Sequence, residues 1–421
     1  MKVIILAAGQ GTRLRPLTAN VPKCMVKVNG KPIIDYQLEV MLRAGIKPSD
    51  IVVVAGYQSQ AIKEKFAYTE IQIVENLDYM STNMVYSLMQ AREFFADDVI
   101  ISYGDIIYGD DVFRKILDTK HEAAVIIDDG WQSYWEARGE NPLEDAETLK
   151  YTPDDVLTEI GQKTDDLAEI MSQYIGLMRF RGKGLAELLE VVAEAQRRSE
   201  RGQPLWRTSR TYQAMYMTDL LQGLIDSGSV LYGEHIQRGW YEVDNYSDLE
   251  LAQKNMAKAY WITGLSGAGK STISKIFYEK LRERMPNTVF LDGDALRAAV
   301  AADLGYSTED RKECARRYGR LMKVLQEQGL NVICATICMY DEARAWNRAN
   351  INNYVEVYVK VDLEVLQKRD QKNLYSKQDQ SLAGVSISVE EPKTPDLVLM
   401  NNGDVSPEEQ AAKLMQIAEK L

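Results

Sequence analysis

Tyr260-Trp261-Ile262-Thr263-Gly264-Leu265-Ser266-Gly267-Ala268-Gly269-Lys270-Ser271 is an apolar strand running into a glycine-rich turn, and a helical pattern follows it. Gly264, Gly269, Lys270 and Ser271 complete a GxxxxGK[ST] string. Each part has a chemical reason. Glycines let backbone N–H groups converge on phosphate oxygens, and the helix N-terminus adds positive potential. Lys270 then reaches the β/γ-phosphates, and Ser271 can hold a magnesium ion. The expected nucleotide-binding residues are therefore Gly264, Ser266, Gly267, Ala268, Gly269, Lys270, Ser271 and Thr272, with Lys270 also catalytic. The same order of apolar strand, glycine turn and helix is read near the start, at Val3–Leu6 followed by Ala7-Ala8-Gly9-Gln10-Gly11-Thr12-Arg13.

Between and after these two stretches, strand-like runs at Ile51–Val54, Val99–Ser102, Val289–Leu291, Val332–Ala335 and Val355–Val361 alternate with helical patterns. That alternation implies two α/β domains with mainly parallel sheets. The chain of 421 residues is long enough for both. The boundary is placed by the helical stretch Ser247–Lys258, giving domains 1–256 and 257–421. No glycine/serine linker separates them, so the domains are expected to be held close.

Composition narrows the class. Apolar residues are 45% of the chain, so a core is available. The formal charge is −12 with no long basic run, which argues against a nucleic-acid partner. No uncharged apolar stretch is long enough to span a membrane. The opening MKVIIL leads into a glycine turn instead of a cleavage site and reads as a core strand. The four cysteines (Cys24, Cys314, Cys334, Cys338) contain no CxxC pair, and there are two histidines. A reduced cytoplasmic enzyme without a histidine-rich zinc site is the expectation.

In the C-terminal half, Asp292-Gly293-Asp294-Ala295-Leu296-Arg297 closes a strand. Leu304-Gly305-Tyr306-Ser307-Thr308-Glu309-Asp310-Arg311 follows, then Arg316 and Arg317, then Arg369-Asp370-Gln371-Lys372-Asn373-Leu374-Tyr375. In order and spacing this series resembles the adenylylsulfate kinases. The resemblance implies a P-loop kinase fold on a parallel sheet, with transfer of the ATP γ-phosphoryl group to a ribose 3′-hydroxyl. It makes Asp294 the candidate base and Arg297, Arg311 and Tyr306 the acceptor-binding residues. Arg369 would open a basic lid over the ATP phosphates. Arg316 and Arg317 are equally well read as surface ion-pairing residues. Two departures stand out. Cys314 replaces the family's Asn, and Leu382-Ala383-Gly384-Val385-Ser386 replaces the element with an adenine-stacking Phe. An aromatic face contributes about 1–3 kcal/mol of base stacking, so the acceptor is expected to differ from adenylylsulfate. A diverged adenylylsulfate kinase is the alternative.

In the N-terminal half, Leu6-Ala7-Ala8-Gly9-Gln10-Gly11-Thr12-Arg13-Leu14-Arg15-Pro16-Leu17-Thr18, with Pro22-Lys23 beyond it, resembles the signature of nucleotidyltransferases acting on sugar phosphates or phosphocholine-like acceptors. The fold implied is Rossmann-like, GT-A-like, with a mixed sheet. A glycine loop wraps the triphosphate, Arg13 meets the departing pyrophosphate, and Lys23 offsets charge on the α-phosphoryl group. The expected CTP-binding residues are Ala8, Gly9, Gly11, Thr12, Arg13, Asn83 and Gly104, with Arg13 and Lys23 catalytic. Asp105, after the strand Val99–Ser102, and Asp244, in Gly239–Asn245, are the expected magnesium ligands, and Glu242 is able to share that role. Asn76 and Ser81–Leu88 resemble the cytidylyltransferase branch, favouring CTP. Glu159 and Tyr174 are the expected acceptor contacts. Trp131 and Trp135 could form an aromatic cage for a quaternary ammonium or pack a lid. Trp131–Trp135, Arg138 and Asp145–Glu147 lie where acceptor contacts arise in that family.

The fusion is coherent as chemistry. The first domain would make a CDP-linked product, and the second would phosphorylate its 3′-hydroxyl. The pair resembles the cytidylyltransferase and 3′-kinase of capsule phosphoramidate assembly. That implies phosphoglutamine or phosphoramidate as acceptor, and magnesium, CTP and ATP as cofactor and substrates. Two other readings compete: a kinase that prepares the acceptor for a phosphocholine- or phosphonate-type cytidylyltransferase, and one catalytically silent domain. The family's dimers make residues 140–210 a candidate homodimer contact.

Overall fold

The computed structural model describes residues 1–139, 141–369 and 387–418. The chain divides into two compact units, Met1–Leu251 and Ala252–Leu421. The division falls inside the helix Tyr246–Met256.

The first unit is built on β1 (Lys2–Ala7), β2 (Ile51–Ala55), β3 (Gln72–Glu75), β4 (Asp98–Tyr103), β5 (Ala123–Asp128), β6 (Gln173–Arg181) and β7 (Tyr232–Ile236). They form one seven-stranded sheet in the order β7-β5-β6-β4-β1-β2-β3. β6 runs antiparallel to both neighbours and the other pairs are parallel, so the sheet is mixed. Both faces of β1 are covered. Val3, Ile5 and Ala7 join one apolar cluster, while Ile4 and Leu6 join the other. Burial on both sides is what permits an unbroken apolar run in place of alternation. β1 lies between β2 and β4. The chain leaves it to one side and later returns on the other, so its carboxyl end is a topological switch point, where open α/β sheets place ligands.

The second unit contains β8 (Ala259–Thr263), β9 (Thr288–Asp292), β10 (Asn331–Thr336), β11 (Tyr354–Lys360) and β12 (Leu397–Met400). All pairs are parallel, in the order β9-β10-β8-β11-β12. The glycine loop leaves the carboxyl end of β8 and enters the helix Lys270–Arg284. Tyr260 and Ile262 pack on one face of this sheet and Trp261 on the other.

One sequence expectation fails locally. No helix follows the first glycine turn. Thr12–Leu14 and Lys23–Met25 are single 3₁₀ turns, and the first α-helix begins at Ile33. The residue preceding a proline is driven out of the helical region. Arg15 before Pro16 is extended, at ψ 139°, so the chain cannot continue the turn as a helix. The amphipathic segment read at Leu185–Arg198 is a helix over Gly182–Glu200, its apolar stripe buried. Among the described residues no helix is long and apolar enough to cross a membrane.

Gly176 in β6 adopts φ +85°, and a Cβ there would stand 2.4 Å from the Tyr103 ring. Gly176→Ala is expected to destabilise the first unit by about 1–3 kcal/mol, seen as a lower melting temperature. An unchanged melting curve would contradict this packing.

Candidate active sites

In the first unit the carboxyl ends of β1 and β4 are drawn together by a hydrogen bond from the Gly104 N–H to the Leu6 carbonyl, 2.9 Å. They floor a cleft whose walls include Ala8, Gly9, Lys23, Asn83, Tyr103 and Asp105. Gly11, Thr12 and Arg13 form the adjoining turn. Asn83 caps the helix Met84–Gln90 by accepting from the Met84 N–H, 2.8 Å. Buried Asn76 braces the same segment through Thr82 and Ser87, each at 2.9 Å.

Asp244 arrives from far along the chain. The strand Trp240–Glu242 pairs antiparallel with Ile106–Tyr108, and the Val243 N–H donates to the Asp105 carbonyl at 3.0 Å. The Lys23 Nζ then lies 2.6 Å from a carboxylate oxygen of Asp105 and 2.6 Å from one of Asp244. Arg13 also pairs with Asp244. Burial opposes the Lys23 charge, but Asp105, Asp244 and Glu242 outweigh it and hold its pKa above the ordinary lysine value. Asp244 is held below the usual carboxylate range; burial works against this, and Lys23 and Arg13 prevail. The Glu242 carboxyl is pushed up to about 8 by burial, opposed by Arg138 and reinforced by Asp105.

Do these residues fit a hard divalent cation? Asp105 Oδ1 is buried and accepts no hydrogen bond. Magnesium commonly takes one or two carboxylates and completes its shell with substrate phosphates and water. Among the described residues no group of three or more His, Cys, Asp or Glu side chains converges as a self-contained metal site. Two carboxylates with an unsatisfied oxygen therefore fit an ion that arrives with a nucleotide.

In the second unit, Lys270 folds onto its own loop and donates to the Leu265 carbonyl at 2.8 Å. Gly269 has φ +92°, and a Cβ on it would stand 2.5 Å from the Asn401 amide nitrogen, which donates to the Ala268 carbonyl at 2.8 Å. Asn401 thus pins the phosphate loop from β12. Ser271 Oγ donates to Asp292 at 2.8 Å, and Asp292 also caps the helix Gly293–Val300 through the Asp294 N–H. Arg297, Tyr306 and Arg311 come together. The Arg297 guanidinium lies 4.2 Å from the Tyr306 ring centre and that of Arg311 5.6 Å. Arg297 donates to the Leu304 carbonyl at 3.0 Å, to the Gly305 carbonyl, and to Cys314 Sγ at 3.1 Å. Tyr306 is 58% exposed, leaving it accessible to a ligand.

Family comparisons agree with this geometry. A nucleotidyl transferase family profile matches residues 2–130, and an adenylylsulphate kinase profile matches residues 256–400. The chain is 39% identical to the CTP:phosphoglutamine cytidylyltransferase of Campylobacter jejuni, over 60% of this chain and 98% of that protein. It is 38% identical to the cytidine diphosphoramidate kinase of the same organism, over 35% of this chain and 89% of that protein. The adenylyl-sulfate kinase of Bacillus velezensis is 39% identical over 42% of this chain and 92% of that protein. This chain is a nucleotidyltransferase fused to an adenylylsulfate kinase-like kinase. Both halves belong to enzyme families that use nucleotide substrates.

The structure decides several readings that the sequence left open and moves others away from the cleft. Trp131 and Trp135 form no open cage: each is 4% exposed, and they pack with Tyr134 and Trp240. Arg138 covers the Trp135 face at 5.0 Å. Arg138 itself is buried against Asp248 at 2.6 Å instead of facing an acceptor. Glu159 does not line the cleft; it pairs with Arg207 at 2.9 Å and Lys150 at 3.3 Å. Tyr174 stands behind the wall, edge-on to Tyr103 at 5.8 Å. Arg316 and Arg317 are tied into ion pairs with Glu342, Glu313 and Asp303. Arg369 ends the helix Leu363–Arg369, and the rest of the basic segment, 370–375, lies outside the described residues, as do Leu382–Ser386. Asp292 was read as a strand-end carboxylate without an assigned role, and Asn401 was not anticipated. The position of Asp292 at a strand end, before a helix, was the available signal. Asn401 carried none, since only the fold brings β12 to the loop.

Asp105→Asn and Asp244→Asn are each expected to lower pyrophosphate release at least about 100-fold while leaving ATP consumption by the second unit unchanged when its acceptor nucleotide is supplied ready-made. Asp292→Asn should do the reverse. Parallel pyrophosphate and ADP assays on each variant check this, and a loss crossing to the other reaction would contradict the assignment.

Proposed function

We propose that the first unit transfers the cytidylyl group of CTP to a small phosphorylated acceptor, phosphoglutamine or a phosphoramidate. The second unit then uses ATP to phosphorylate the 3′-hydroxyl of the CDP-linked product. The carrying observation is that one chain contains near-complete counterparts of two relatives from one organism, a CTP:phosphoglutamine cytidylyltransferase and a cytidine diphosphoramidate kinase. A kinase fused to a cytidylyltransferase is best served by a cytidine nucleotide as acceptor, which favours this reading over a diverged adenylylsulfate kinase. Modification of a surface polysaccharide with phosphoramidate is the destination such a product suits.

In the first reaction an acceptor phosphoryl oxygen attacks the α-phosphorus of CTP, and the bond to the pyrophosphate oxygen breaks. Ala8, Gly9, Gly11 and Thr12 wrap the triphosphate, Asn83 and Gly104 flank the nucleoside, and Arg13 meets the pyrophosphate. Lys23 carries positive charge to the crowded phosphates. Asp105 and Asp244 would hold magnesium, which when bound neutralises phosphate charge and orients the reacting groups. In the second reaction the 3′-oxygen attacks the γ-phosphorus of ATP, its proton passes to Asp294, and ADP leaves. Gly267, Gly269 and Lys270 hold the ATP phosphates, and Ser271 with Asp292 would hold magnesium there. Arg297 and Arg311 grip the acceptor's diphosphate beside Tyr306.

Phosphorus NMR of the chain with magnesium, CTP, ATP and phosphoglutamine should show a new diphosphate pair and a 3′-phosphomonoester on one cytidine. Lys270→Ala is expected to keep pyrophosphate release and lose the 3′-phosphate at least about 100-fold. If the unaltered chain makes the diphosphate product from an unphosphorylated acceptor and ATP while Lys270→Ala makes it only from the phosphorylated one, the kinase acts first and the proposed order is wrong.

A further inference from the structure

The turn that carries Asp244 is fixed by side chains that do not line the cleft. Arg138, immediately after the helix Trp131–Ala137, has its side chain 2% exposed. Its guanidinium grips Asp248 through two bonds, Nε to Oδ1 at 2.6 Å and Nη2 to Oδ2 at 3.1 Å. Nη1 reaches Glu242 at 3.3 Å and Asp145 at 3.4 Å, and the Tyr134 and Trp135 rings lie against the group at 5.7 and 5.0 Å. Asp248 is fully buried. Its Oδ2 accepts the backbone N–H groups of Asp244 at 2.9 Å and Asn245 at 3.1 Å, and Asn245 returns the favour by accepting the Asp248 N–H at 3.0 Å. Two residues earlier, the Tyr134 hydroxyl both accepts the Glu242 N–H at 2.9 Å and donates to the Glu242 carbonyl at 3.2 Å. The backbone on both sides of Asp244 is therefore pinned.

A buried ion pair is an expensive way to gain stability, because apolar residues of similar volume usually do as well. Such a pair has a clearer use in geometry. An ion shared between a protein and a nucleotide needs its carboxylates held to within about 0.5 Å. Asp105 is fixed by the end of β4, whereas Asp244 sits in a turn with no sheet to hold it. We infer that Arg138 and Asp248 are positioning residues for nucleotidyl transfer: their paired side chains hold the backbone of Asp244 so that its carboxylate meets Asp105 at one divalent cation. This rests on the reading of Asp105 and Asp244 as the cation ligands.

The experiment uses the full chain with CTP and no acceptor, titrated with Mn²⁺ and followed by electron paramagnetic resonance. The relevant sites are those that require CTP and disappear in Asp105→Asn. Asp248→Asn and Arg138→Lys are expected to weaken Mn²⁺ at those sites at least tenfold. The magnesium concentration needed for half-maximal pyrophosphate release should rise by a similar factor, with the KM for CTP changed less than threefold and ATP-dependent kinase activity on supplied CDP-linked product unaltered. Unchanged Mn²⁺ affinity and magnesium requirement alongside a lowered melting temperature would overturn the inference and leave the pair a structural one. If Asp248→Asn no longer binds CTP, Arg138→Lys decides alone. It keeps the charge and loses the two-pronged grip, so normal Mn²⁺ binding by that variant overturns the inference. If Asp105→Asn removes no Mn²⁺ site, the cation assignment itself falls and this role with it.

Discussion

The Lys23 ammonium sits between Asp105 and Asp244, carboxylates 82 and 221 residues away in sequence. Three separate segments meet at that point: the turn after β1, the end of β4, and the stretch following Trp240–Glu242. Like charges so close repel unless a cation stands between them. The chain supplies one itself, through a lysine whose pKa its neighbours raise. The cleft therefore exists as a balanced electrostatic arrangement before any nucleotide enters. Asp105 Oδ1 in that cleft is buried and accepts no hydrogen bond.

The second unit meets the same demand with backbone instead. Its loop bends through glycines, and Asn401 closes over it from β12. Lys270 donates to the Leu265 carbonyl within its own loop. Elsewhere in this unit charge is stacked against an exposed ring: Arg297 and Arg311 flank Tyr306. Cys314, standing where the kinase family has an Asn, takes an Arg297 N–H. Sulfur is a weak acceptor, so this contact restrains the guanidinium only weakly.

The phosphate loop was legible because its glycines, Lys270 and Ser271 are contiguous and each is required by local geometry. Arg13, Lys23, Asp105 and Asp244 were named through resemblance to the nucleotidyltransferase signature and its acidic elements, and the structure brings them together. Trp131 and Trp135 were open to two readings, because an aromatic cage and an aromatic core use the same residues. Glu159 has the same ambiguity: a carboxylate awaiting a ligand and one paired with Arg207 are identical in sequence. The missing helix after Gly11 shows a strong strand–glycine grammar giving way to a nearby proline.

What the sequence by itself determined is the chemistry of each half and the sheets that carry it. Apolar runs fix which segments become buried strands, and glycine-rich turns fix where phosphate is received. Only the tertiary structure decided which carboxylates share a centre, that Asp292 joins Ser271, and that Arg138 faces Asp248 in place of an acceptor. The physical reason is range. Strand and loop preferences act between residues a few positions apart, whereas charge pairing and burial depend on distances that exist only once β4, β1 and the turn after Trp240–Glu242 have packed together.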